Sequence, residues 1–160
     1  MKENVVSLLN DLEINYRCLD HPAVFTIADL KNLPEDINPV KNLLVQESNN
    51  GRKFLIIMAG DARLDTNIIR RAFEARRLCF ATDEILMDTF GVKSGAVSIF
   101  GLLNNSKSDV EVIIDQEIMK FNELGFHPNE NTSTIFFEPK YIESILKRIG
   151  RKYTVMKLYD

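Results

Sequence analysis

Three stretches of this chain carry residue types that could do chemistry together. Lys41 stands in Val-Lys-Asn-Leu-Leu-Val, where a lysine can project from a strand into a cleft. Its ammonium is a compact cation with three donors, suited to a phosphate or an ester oxygen. The same lysine is equally at home on a strand's solvent face. Asn42 alternates to the opposite face, so the two side chains need not act together. The segment Gly91-Val-Lys-Ser-Gly-Ala-Val-Ser-Ile-Phe-Gly101 places three glycines in eleven residues. Glycines let a backbone approach a ligand closely and turn N–H groups toward it, which suits an anion or an oxyanion. It is neither a P-loop nor a dinucleotide fingerprint, and a turn-rich connection accounts for it as well.

The third stretch is Phe126-His127-Pro128-Asn129-Glu130-Asn131-Thr132-Ser133-Thr134. His127 could exchange a proton or orient a substrate, and Asn131 and Thr132 could hydrogen-bond a ligand. A turn held by its own Asx and hydroxyl bonds would look the same. His21, in a His-Pro at a strand end, has a plainer setting. No H-E-x-x-H and no cluster of Cys and His is present, so the sequence implies no metal and no cofactor.

The elements that must position these residues can be read from periodicity. Val5, Leu8, Leu9 and Leu12 mark an amphipathic first helix. Residues 15–19 alternate toward a strand, and Thr26 with Asp29 suggests a short helix to about Leu33. Val40 to Glu47 and Lys53 to Met58 read as two strands, joined by the hairpin signal Asn49-Asn50-Gly51. Asp65 or Thr66 can cap a helix burying Ile68, Ile69, Ala72 and Phe73. A strand at Arg77–Phe80 follows, then a helix capped by Thr82 with Ile85, Leu86 and Phe90 inward. Val110–Ile114, 123–127 and 132–137 are further strands. Pro139 opens a last helix with Ile142, Ile145, Leu146 and Ile149 buried and Gly150 as its left-handed cap. Tyr153–Leu158 reads as a final strand.

Helices and strands alternate irregularly, with at least one hairpin. This predicts an α+β fold with a mixed, largely antiparallel curved sheet flanked by helices, in a single domain over residues 1–160. The 160 residues suffice for one sizeable core, and a composition of 45% hydrophobic and 27% charged residues is that of a globular protein. The net charge of −3 excludes a global basic field. Basic residues do cluster locally, at Arg70, Arg71, Arg76 and Arg77 and again at Lys147, Arg148, Arg151 and Lys152. Helix-end capping and a phosphate-binding rim are the two readings of such clusters. Cys18 and Cys79 read as reduced, partly buried thiols of a cytoplasmic protein. No stretch approaches the roughly 20 apolar residues of a membrane helix, and none reads as a signal peptide.

Taken in order, the quoted segments resemble the YbaK/prolyl-tRNA editing-domain superfamily, and most of all its freestanding prolyl-tRNA deacylase branch, the ProX/PrdX type. The resemblance also takes in Leu-Asn-Asp-Leu-Glu-Ile-Asn-Tyr and His-Pro-Ala-Val-Phe-Thr near the N-terminus. It implies hydrolysis of the ester between a wrong amino acid and its tRNA, typically alanine on proline tRNA. It implies that Lys41 is the active-site lysine near the 3′-terminal nucleotide, followed by Asn42. Gly91, Gly95 and Gly101 match the family's glycine-rich loop, in which Ser94 and Ala96 would line the substrate. His127, Asn131 and Thr132 match its His-Pro…Asn-Thr motif. The implied partners are the acceptor end of a misacylated tRNA and prolyl-tRNA synthetase. Two positions depart from the pattern: Ser94 and Ile99 stand where the loop commonly carries proline. A non-catalytic module binding a tRNA end or an amino acid, or an unrelated regulatory α+β domain, are the alternatives to a deacylase.

Overall fold

A computed structural model describes residues 2–22, 39–49, 51–107 and 109–159. The helix expected between Thr26 and Leu33 lies outside the described residues. Elsewhere the chain runs α1 (Lys2–Asp11), β1 (Arg17–Asp20), β2 (Val40–Glu47), β3 (Lys53–Ala59), α2 (Thr66–Phe73), β4 (Leu78–Phe80) and α3 (Asp83–Phe90). Two 3-10 turns follow, then β5 (Val110–Asp115), β6 (Leu124–Phe126), β7 (Ser133–Phe137), α4 (Ile142–Ile149) and β8 (Tyr153–Met156).

The α+β expectation holds, with the strands divided between two sheets. A five-stranded sheet has the order β4-β2-β3-β5-β8, and a three-stranded one has the order β1-β7-β6. β2 is antiparallel to both of its neighbours, β4 and β3, whereas β3, β5 and β8 are parallel. Parallel neighbours cannot be joined by a hairpin, so long crossovers link them. The β3–β5 crossover contains α2, β4, α3 and the glycine loop. The β5–β8 crossover contains β6, β7 and α4. The fold thus places the glycine loop and the His127 turn in separate crossovers of one sheet.

Side chains alternate along β2 and β3, and each face of the large sheet meets its own core. Val40, Leu44, Leu55, Ile57 and Ala59 join the larger cluster, with Phe100, Phe126, Ile135, Phe137 and the buried stripes of α1 and α4. Val45, Phe54, Ile56 and Met58 face the smaller cluster beneath α2, with Ile69 and Leu158. Each fully buried Phe, Leu or Ile contributes about 1.5–3 kcal/mol by leaving water, so the larger cluster dominates stability.

Local chemistry sets the element ends. The Asp65 carboxylate accepts the Asn67 N–H to open α2, and the Thr82 hydroxyl accepts the Ile85 N–H to open α3. Gly150 closes α4 with φ 80°, a conformation that suits glycine. Pro139 opens a 3-10 turn that runs into α4. The last strand stops at Met156, short of the expected Leu158. Leu158 is buried in the smaller core, and its carbonyl accepts the Asp65 N–H at 3.1 Å. The cysteines correct another expectation: Cys18 and Cys79 are free but exposed, not partly buried. They sit on β1 and β4, which each end a sheet. Among the described residues no helix is long and apolar enough to cross a membrane.

Candidate active site

The glycine loop begins where α3 stops. Gly91 takes φ 69° as the left-handed cap, and its N–H reaches the Met87 carbonyl. Ser94–Ala96 then form one 3-10 turn and Ile99–Asn104 another. The Ser98 hydroxyl, fully buried, accepts the Phe100 N–H at 3.0 Å and caps the second turn. Ala96, Ile99 and Phe100 enter the larger core and pin the loop to the sheet. Ser94 is exposed, and Gly95 is half-buried between it and buried Ala96. Gly101 is needed for close approach, since a Cβ there would lie 2.9 Å from Cγ of Phe90.

The His127 turn joins β6 to β7 and meets this loop directly. Asn129 adopts φ 64°, a region Asn tolerates better than most residues. Its side-chain Nδ2 donates to the Phe100 carbonyl at 3.2 Å. His127 lies within 2.9 Å of the Ser133 carbonyl through Nδ1, so Nδ1 carries a proton and donates. The lone pair of the neutral ring is then on Nε2. The His21 ring packs edge-on against His127, with centroids 5.9 Å apart. By the same reasoning His21 Nδ1 donates to the Pro22 carbonyl at 2.8 Å, and its Nε2 accepts the Thr134 hydroxyl at 2.7 Å. Burial pushes the His127 pKa down. The bond to Ser133 opposes that shift, and His21 adds to it. His127 is therefore a neutral imidazole at neutral pH. Asn131 is half-buried, and exposed Thr132 offers its carbonyl to the His21 N–H at 2.9 Å.

Lys41 and Asn42 part company on β2. Lys41 pairs with Met58 and Asn42 with Ile57. Met58 belongs to the smaller core and Ile57 to the larger one. Lys41 therefore faces the α2 side, where its ammonium donates to the Ala62 carbonyl. Burial lowers the Lys41 pKa from its ordinary value, and nearby Asp61 partly restores it. Asn42 shares its face with Val40 and Leu44, on the side of the glycine loop and the His127 turn. Three buried amide oxygens, those of Asn42, Asn105 and Asn129, find no hydrogen-bond partner among the described residues; those of Asn42 and Asn129 belong to β2 and to the His127 turn. A buried acceptor without a donor costs about 1–3 kcal/mol, and a cationic donor bound on this face would relieve such a cost.

The structure thus brings the glycine loop and the His127 turn into contact, with Asn42 on the same side. Lys41, second residue of its strand, occupies the other side of that strand's end. Reading the sequence missed Asn129, which bonds the two loops together, and the Ala62 carbonyl that holds Lys41. The only sequence signal for Asn129 was Asn after His-Pro, a residue suited to a left-handed turn. Two open surface clefts, of about 580 Å³ beside Arg151–Thr154 and about 480 Å³ beside Tyr16 and Glu123, are lined by none of the candidate residues.

Comparison with known proteins extends this geometry. The family model of the aminoacyl-tRNA editing domain matches residues 21–145. The chain is 28% identical over 159 residues to the prolyl-tRNA editing protein ProX of Acetoanaerobium sticklandii, covering 98% of this chain and 97% of the relative. It is 21% identical over 156 residues to prolyl-tRNA synthetase associated domain-containing protein 1 of Xenopus laevis, covering 94% and 92%. A solved structure described as a candidate trans-editing enzyme for prolyl tRNA synthetase superposes with a TM-score of 0.73 at 18% identity, covering 99% of this chain and 96% of that one. That last likeness bears on the fold alone.

Proposed function

Since the chain belongs to the aminoacyl-tRNA editing domain family and is an aminoacyl-tRNA deacylase, we propose that it hydrolyses, in trans, the ester of a proline tRNA charged with the wrong amino acid, alanine foremost. The observation that carries this reading is the pair of orphaned amide oxygens of Asn42 and Asn129, on the face shared by the glycine loop and the His127 turn. An aminoacyl ester brings an α-ammonium group, a cationic donor that a buried acceptor of this kind would hold.

In this reading the acceptor end folds over the start of β2. The terminal nucleotide sits on the Lys41 side, and its amino acid sits on the Asn42 side. Lys41 leaves the Ala62 carbonyl to bind a phosphate or ribose oxygen. Backbone N–H groups of the Gly91–Gly101 loop line the amino-acid pocket and stabilise negative charge developing on the ester carbonyl. Neutral His127, with Asn131 and Thr132 near it, shapes that pocket. An activated ester needs little more than a positioned water and a polarised carbonyl. The physical need is clear: a synthetase pocket rejects a smaller amino acid by only about 1–3 kcal/mol per methylene. A second, tighter sieve removes what passes. Such a protein works where tRNA is charged, in the cytoplasm, and the relatives' names support prolyl-tRNA synthetase as the enzyme it complements.

The test is deacylation of alanyl-, cysteinyl- and seryl-tRNA by the purified protein. Turnover that disappears in Lys41→Ala supports the reading. Binding without turnover would make the chain a tRNA-end module, and no activity toward any of these esters would overturn the proposal.

A further inference from the structure

The face of the large sheet that carries Lys41 has features the ester site does not use. β4 is its edge strand, and Phe80 lies opposite Val45 in the register. Lys41, Leu43 and Val45 alternate onto one face, so Phe80 shares the face of Lys41. Phe80 is 61% exposed, unusual for an aromatic ring beside a packed core.

Beyond Phe80 lies a concentration of arginines. The segment from Ala62 through α2 to Phe73 crosses the smaller core, and the Phe73 ring packs 5.3 Å from that of Phe54. The last turn of α2 presents Arg70 and Arg71, and Arg76 and Arg77 lead from it into β4. Arg52, in the β2–β3 connection, donates to the Phe73 carbonyl at 2.7 Å and so joins the group. Five exposed arginines thus surround two glutamates, Glu47 and Glu74, in a chain whose net charge is −3.

Glu47 is committed to the fold. It accepts the Arg76 N–H at 2.7 Å and approaches the side chains of Arg52 and Arg76 at 3.5 and 3.6 Å. Those bonds, with that of Arg76 foremost, hold its carboxyl down to about 2. Arg70, Arg71 and Arg77 form no ion pair among the described residues. The second basic cluster differs. Lys147 pairs with Glu143 at 3.1 Å and Arg148 with Asp11 at 3.6 Å. Arg151 is buried and donates to the Leu102 and Asn105 carbonyls. Among the described residues, Arg70, Arg71 and Arg77 thus form a group of three unpaired cations, whereas in the second cluster Lys152 alone has neither an ion pair nor a buried carbonyl partner.

Distances along β2 give these features an order. At about 3.3 Å per residue, Val45 and hence Phe80 lie ~13 Å from Lys41, and Glu47 with its arginines lies ~20 Å away. At ~3.4 Å per stacked nucleotide, the second distance is about six nucleotides. We propose that the exposed β4 edge of this face is a track for a 3′ RNA end: Phe80 stacks an unpaired base about four nucleotides back from the terminal one, and Arg70, Arg71 and Arg77 hold phosphates farther up the strand. The proposal rests on the tRNA-ester reading for its choice of RNA. It adds the route by which that RNA reaches Lys41.

The probe is an uncharged RNA hairpin with a six-nucleotide 3′ overhang, its binding to the intact protein followed by fluorescence anisotropy across a salt series. Arg70/Arg71/Arg77→Gln should weaken binding at least tenfold and flatten the log Kd against log salt slope by about 2–3, near 0.7–0.9 per lost phosphate contact. Phe80→Ala should weaken binding about tenfold, with Phe80→Tyr restoring it, because stacking tolerates any aromatic face. On a blunt hairpin the Phe80 effect should vanish while the arginine effect remains. Lys147→Ala with Arg148→Ala should match wild type. Unchanged binding and slope in the arginine variant, a Phe80 effect that persists on blunt RNA, or an equal loss in the Lys147/Arg148 variant would each overturn the track. The two proposals fail separately. A wild type that binds through the track but deacylates nothing removes the ester reading alone. One that deacylates while the track variants bind normally removes the track alone.

Discussion

Lys41 and Asn42 are neighbours in the chain and belong to different halves of the molecule. Lys41 faces the smaller core, where its ammonium rests on the Ala62 carbonyl and α2 lies alongside. Asn42 faces the larger core, where the glycine loop and the His127 turn are tied by Asn129. The Lys41 side is rich in cations and presents a lysine ammonium held by a backbone carbonyl. The Asn42 side is built of backbone, a neutral imidazole and unsatisfied amide oxygens. The difference teaches a division of labour suited to an aminoacyl-tRNA, which is polyanionic at one end of its ester and a small cationic amino acid at the other. One strand end, read in two alternating directions, can separate the two recognition problems.

The largest expected effect breaks the Lys41 side. Lys41→Ala should lower kcat/KM for deacylation by about 100- to 1,000-fold, the range for losing a directed charge contact at a reacting group. It should do so by the same factor for alanyl and seryl esters, because the nucleotide is common to both. Asn42→Ala should cost less and should change the ratio between the two esters. Equal ratios in both variants would dissolve the comparison.

Next in size is the bond that holds the Asn42 side together. Asn129→Ala leaves the buried Phe100 carbonyl without its donor and forces a left-handed alanine. Together these cost about 2–4 kcal/mol, which lowers Tm by about 5–15 °C in a chain of this length. Asn129→Gly keeps the backbone conformation and should recover roughly half of that loss. A thermal melt decides it, and equal melting of the two variants would assign the cost to the side chain alone.

These two sides were legible in the sequence to different depths. The hairpin was readable in full, because Val40–Glu47 and Lys53–Ala59 have strand composition and the Asn-Asn-Gly turn between them. Alternation along β2 also separated Lys41 from Asn42. The contents of the glycine loop were not readable: its two 3-10 turns are fixed by Ser98 capping Phe100 and by burial of Ile99 and Phe100, contacts that no periodicity encodes. Nor was Asn129 readable as a fastener, since its partner lies 29 residues away in another crossover. The exposure of Cys18 and Cys79 was missed for a related reason. Strand-like composition does not say which strand will end a sheet.

A smaller effect separates the sides by pH. The His127 pKa lies below its ordinary 6.5, so the folded state binds the proton more weakly than the unfolded chain. The stability tied to its neutral form is present above about 6.5 and is lost as pH falls through the lower folded value. Activity that needs neutral His127 should therefore show an acid limb below 6.5, absent in His127→Gln. The Lys41 ammonium is also depressed, by burial. It should add an alkaline limb to hairpin binding, which Lys41→Arg removes because guanidinium does not titrate there. An acid limb unchanged in His127→Gln would show that the Asn42 side has no titrating member.

The smallest expected effect is at Ser94. It is the first residue of the Ser94–Ala96 turn, and Lys93 before it is extended, with φ −85° and ψ 164°. A first helical position has no helical partner for its N–H, and an extended residue is what proline requires before it. Ser94→Pro therefore restores the residue that the family's loop commonly carries without displacing a contact. It should raise stability by about 0.4–1 kcal/mol, through a stiffer unfolded chain. Because Ser94 is exposed, the substitution leaves the larger core untouched. If the pocket is set by the buried anchors Ala96, Ile99 and Phe100, the alanyl-to-seryl ratio should stay within about twofold. A larger change in that ratio would mean that loop stiffness helps to select the amino acid. Specificity on the Asn42 side would then depend on motion as well as on shape.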